Sequence, residues 1–152
     1  MSFKLTAHNS QLNMTTPQAI LIIGGLLNIL FSSLAGYMVL WIRARNTKAP
    51  ISRYAVVSHT SGIMNGTLLF GLAVAIQHTG FIAPINIAIA CAEVLATAFS
   101  AIRNVHSWAQ GFNDAVAEGP EVAVRLRGLA NIIHLFDAAA ILYGVVRTAL
   151  GI

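Results

Sequence analysis

Four apolar runs constrain this chain more than anything else in it. They extend from Gln18 to Ile42, from Tyr54 to Gln77, from Ile82 past Glu93 to Ile102, and from Gly128 to Gly151. Each is about 20 residues or longer, enough for a helix to cross a hydrocarbon core of roughly 30 Å. Only 9% of the 152 residues are charged and 57% are hydrophobic, whereas about 25% of a soluble domain is charged. The expected fold is all-α: an integral membrane four-helix bundle over residues 17–152, after a polar tail at residues 1–16. Pro17 suits the first turn of the first helix, where its missing donor costs nothing.

The nine basic residues set the expected orientation. Arg43, Arg45, Lys48 and Arg53 lie between the first two runs, and Arg103, Arg125 and Arg127 between the last two. By the positive-inside bias both loops are cytoplasmic and both termini are on the non-cytoplasmic side. The net charge of +4 is then a topology signal, and no nucleic-acid partner is needed to explain it. Trp41, Tyr54 and Trp108 fall at the same inner boundary, as an aromatic belt would. Val105, Trp108, Phe112 and Val116 recur at spacings of three and four, which predicts an amphipathic extension ended by Gly119 and Pro120. Cys91 is the single cysteine, so neither an intrachain disulfide nor covalent haem at Cys-x-x-Cys-His is possible.

Polar residues inside the runs are where function is expected, because an ionisable group there costs roughly 2.5–3.5 kcal/mol on insertion scales. Counted from the inner end of each run at about 1.5 Å per residue, His59 is about five residues deep, His134 about six, Asp137 and Glu93 about nine, and Asn65 about eleven. The expectation is one polar layer drawn from three helices. Gly62 and Gly66 lie within about 60° of His59 on a helical wheel, whereas Asn65 is about 120° away. The histidine stripe is then bare enough for a flat ring, with His59 reaching a metal at its centre; imidazole is a common axial ligand of haem iron.

Blander roles stand beside each of these. Gly62 and Gly66 also form Gly-x-x-x-Gly, a helix-packing face, and the small residues Gly24, Gly25, Ser32 and Gly36 give the first run a similar face. Asn28 reads as interhelical glue. Glu93 with His134, or His134 with Asp137, can be a neutralised structural pair. His59 and His134 can also clamp a haem from both sides in a bis-histidine cytochrome b, and Glu93, His134 and Asp137 can serve a haem-free proton-coupled transporter.

The stretch Ser-His-Thr-Ser-Gly-Ile-Met-Asn-Gly-Thr-Leu-Leu from Ser58 resembles the second-helix motif of the styrene oxide isomerases and hydroxylaminobenzene mutases, small four-helix membrane isomerases. His59, Gly62, Asn65 and Gly66 match its four positions, and the resemblance is weak outside it. It implies ferric haem b bound without covalent attachment in the bacterial inner membrane, with His59 as metal ligand and Gly62 and Gly66 beside the ring. It also implies a lipid-embedded homotrimer with haem between subunits. The iron would act as a Lewis acid on a small aromatic substrate, without net electron transfer. Asn65 would orient the substrate oxygen, and Glu93 or Asp137 would be the catalytic acid. The family's third-helix tyrosine has no counterpart after Glu93, where Phe99, Ser100 and Ala101 stand. The substrate thus stays open between an arylhydroxylamine, giving an aminophenol, and an aryl epoxide, giving an aldehyde.

Overall fold

The structure is a computed structural model that describes residues 14–46, 51–112 and 121–152, with side chains in the last segment from Gly128 onward. The expected tail up to residue 13, and Val116, Gly119 and Pro120, lie outside the described residues. Helix α1 spans Thr16–Arg45, α2 Arg53–Ala75, α3 Ala83–Ala109 and α4 Glu121–Leu150; a 3-10 turn at Ile76–His78 extends α2. All four are long and apolar enough to cross a membrane, and the described residues contain no strand.

Local chemistry fixes where the helices begin. The Gln18 side chain accepts from the Thr15 backbone N–H at 3.0 Å, and Pro17 sits in the first turn of α1. Ser52 caps α2 by accepting from the Tyr54 N–H at 3.2 Å. Pro84 opens α3. The connection from α2 to α3 is tight: Gly80 has φ +67°, and Thr79 bonds to Ile76 and Asn86.

The helices alternate in direction. Gln18 reaches Gln77 at 3.2 Å, and Thr148 stands beside Gly80, so the start of α1 and the end of α4 share one end of the bundle. Trp41, Tyr54 and Trp108 belong to the other end, where the Arg45 guanidinium stacks 3.8 Å from the Trp41 ring centre. Helix α1 packs most extensively on α2 and also on α3, while α4 leans on α3. Leu21, Leu69, Ala73, Ile76, Ile89, Ala90 and Ile141 form the apolar core.

The exterior is as apolar as the interior. Leu40, Met64, Leu95 and Phe136 are 69–71% exposed. In water such a surface would aggregate, whereas in lipid it costs nothing. This is a multi-pass membrane bundle.

Two expected boundaries move. Helix α3 continues through Ala109, with Asn104 and Ser107 buried against its neighbours, so Arg103 does not end it. The stretch read as an amphipathic surface segment is, as far as Ala109, the last turns of α3 itself. Helix α4 likewise begins at Glu121, before Gly128.

Candidate functional site

His59 sits on the face of α2 that meets α1. Its Nδ1 lies 2.8 Å from the Ser32 carbonyl oxygen and 3.2 Å from Ser32 Oγ, and the Ser32 hydroxyl donates to the His59 carbonyl. A carbonyl can only accept, so Nδ1 carries the hydrogen and the lone pair is left on Nε2. A Cβ at Gly36 would stand 2.7 Å from Nδ1, which is why a glycine must face the ring. Beside the ring opens an apolar groove of ≈ 430 Å³, lined by Ser33, Gly36, Tyr37, Val39, Leu40 and Val56.

The glycine stripe of α2 is not a bare platform. A Cβ on Gly62 would lie 2.8 Å from the Asn28 carbonyl and 2.7 Å from Ser32 Cβ; one on Gly66 would lie 2.8 Å from the Gly25 carbonyl. Helix α1 occupies the stripe, through its own small residues. Gly62 and Gly66 are therefore helix-packing residues, and a flat ring on their face would have to displace α1. The space beside His59 is on the outer side of the α1–α2 seam.

The expectation of a single polar layer also fails. Asn28 Nδ2 donates to Thr97 Oγ1 at 3.2 Å, which sets α1 against α3. Ser32, the partner of His59, is four residues beyond Asn28 toward the Arg45 end, and Glu93 is four residues from Thr97 in the opposite direction. At 1.5 Å per residue, His59 and Glu93 are offset by about 12–20 Å along the bundle. The second anchor agrees in sign: Asn104 donates to Ser61 at 3.0 Å, so Asn65 is nearly level with Ser100. Depth counted from the first charge misled because Arg103 lies inside α3.

Asn65 is half-buried on the Ser61 flank, toward α3, and among the described residues no hydrogen bond engages its side chain. Glu93, His134 and Asp137 form a separate group between α3 and α4. His134 Nδ1 is 2.8 Å from Glu93 Oε1, with Glu93 almost fully buried. Glu93 Oε2 and Asp137 Oδ2 are buried without a hydrogen-bond partner. His59 thus turns to α1 and His134 to α3, so one chain does not bring the two histidines together as a bis-histidine clamp. Among the described residues no three His, Cys, Asp or Glu side chains are grouped to hold a metal ion.

Sequence reasoning missed three neighbours of His59. Ser32 and Gly36 were legible as small packing residues but not as partners of an imidazole on the neighbouring helix. Tyr37 gave no signal, because an interfacial tyrosine ordinarily reads as a belt residue. Comparison with family models, curated proteins and solved structures finds no match to this chain.

Proposed function

We propose that this chain is a haem b-binding integral membrane isomerase of the bacterial inner membrane, carrying out a redox-neutral rearrangement of a small aromatic substrate. The observation that carries the proposal is the setting of His59. Its Nδ1 is fixed by a backbone carbonyl, its Nε2 is left free, and an apolar groove opens beside it. That is the arrangement a metal-ligating imidazole requires: the bonded nitrogen would orient the ring and raise its basicity. The donor set fits the group, with Gly36 giving the ring its clearance and Tyr37 in the groove wall. The resemblance of the His59–Gly66 motif to styrene oxide isomerases and hydroxylaminobenzene mutases points the same way.

When bound, ferric haem supplies a Lewis-acidic site for a substrate oxygen. The chain does the rest. His59 holds the group, and the apolar walls Val39, Leu40 and Val56 exclude water and favour an aryl ring. Asn65 is the expected catalytic residue with a free amide to orient an oxygen. Glu93 and Asp137 are committed to the α3–α4 group. Asn65 lies away from the His59 groove in one chain, so its use at that site requires a second copy, as in a homotrimer with the open groove at each subunit boundary, whereas Glu93 stays buried in the α3–α4 group of its own chain. The basic loops then face the cytoplasm and both termini the opposite side.

Purified protein tested with hydroxylaminobenzene and with styrene oxide, without added reductant, should convert one of them to a product of unchanged mass. Haem-loaded protein that isomerises neither, yet is reduced and reoxidised by quinol and quinone, would instead favour an electron carrier.

A further inference from the structure

The α3–α4 group has an unbalanced charge and two unanswered oxygens. His134 donates from Nδ1 to Glu93 Oε1 at 2.8 Å. Asp137 lies one turn beyond His134 on α4. Yet Glu93 Oε2 and Asp137 Oδ2 are both buried with no donor, and the Glu93 residue is only 1% exposed. Two ionised carboxylates with neutral His134 would place a charge of −2 inside an apolar bundle. With His134 as imidazolium the charge is −1, and one further proton makes the group neutral, which is the state a membrane interior favours.

Among the described residues no other ionisable group competes for that role. Helix α1 from Gln18 to Ser33 and α2 from Thr60 to Gln77 contain no titratable residue. Cys91 on α3 and Tyr143 on α4 are exposed. No lysine or arginine is near in sequence in either helix: the next cations are Arg103 on α3 and Arg127 and Arg147 on α4, each ten residues from the carboxylate on its own helix.

We infer that Glu93, His134 and Asp137 form a proton-binding site in the middle of the bundle, in which one proton is shared between Glu93 Oε2 and Asp137 Oδ2 while His134 balances the remaining charge. Binding forms an O–H bond on one carboxyl and a hydrogen bond to the other; release leaves two like charges facing each other across α3 and α4. The site is independent of haem at His59. Its ligand is the proton, and its place on the least embedded helix pair lets proton gain or loss alter how α4 is held.

Infrared spectroscopy of the purified full chain in lipid nanodiscs, in heavy water at neutral pH, reads this directly. Wild type should show the C=O stretch of one protonated carboxyl per chain. Asp137→Asn and Glu93→Gln should each abolish it, because the amide N–H takes the proton's place and the remaining carboxyl stays ionised beside His134. Each should keep its helical circular-dichroism spectrum. A triple variant at Asp114, Glu118 and Glu121, each changed to its amide, should keep the band. A wild-type spectrum without the band, a band that survives either carboxamide variant, or a band lost in the triple variant would overturn the proposal.

Discussion

The α1–α2 pair and the α3–α4 pair both carry polar side chains through an apolar bundle, and they do it by different means. Across α1–α2 the partners are backbone groups: the Ser32 carbonyl for His59 Nδ1 and the His59 carbonyl for the Ser32 hydroxyl. Close approach through glycine makes those carbonyls reachable. Across α3–α4 the partners are ionisable side chains, Glu93 and His134, and two carboxyl oxygens remain without donors. Backbone partners leave a preoriented imidazole with its second nitrogen free. Side-chain partners make an interface whose strength depends on ionisable groups. A fixed metal ligand belongs in the first setting and an exchangeable proton in the second.

Removing one member of the charged pair should have the largest effect. His134→Leu leaves Glu93 buried without its cation, a loss of about 3–5 kcal/mol. In an Asp137→Asn background, the double variant Glu93→Leu with His134→Leu should recover most of that, because no unpaired charge remains. Thermal unfolding in detergent measures both, and a double variant no better than the single would mean that the pair is not electrostatic. Next, Gly62→Ala drives a methyl against the Asn28 carbonyl and Ser32, an overpacking cost of about 1–3 kcal/mol, and it should loosen His59 as well as destabilise the fold.

Ser32→Ala is smaller, about 1 kcal/mol for a lost hydrogen bond. It leaves the carbonyl that orients His59 in place, so haem affinity should fall far less than stability does; equal losses in both would show that the hydroxyl, not the carbonyl, orients the ring. Last, Gly71→Ala meets nothing within 4 Å and should be neutral or stabilise by up to about 1 kcal/mol, since alanine is the better helix former. That sets a glycine outside the α1–α2 seam against those within it.

The four helices were readable because lipid leaves only one way to satisfy the backbone, so runs of sufficient length had to be helical. His59 stood out for the same reason, as an imidazole in such a run. Its partner did not, because which face of α1 meets α2 depends on register, and Ser32, Gly36 and Tyr37 carry no mark of it. Depth misled where a charge was taken for a boundary: Arg103 lies within α3, and its guanidinium donates to Asn104 at 2.8 Å. With the register set by the structure, the expected single layer is two sites about 12–20 Å apart.

The central claim is that His59 holds haem from the outer side of the α1–α2 seam. The absorption spectrum of protein purified from haem-sufficient cells tests it most directly, taken for wild type and for His59→Ala at equal helicity. Wild type should show a Soret band at one haem per chain or per subunit boundary, and His59→Ala should lose it. A wild type without the band, or a His59→Ala protein that retains full haem, would contradict the claim.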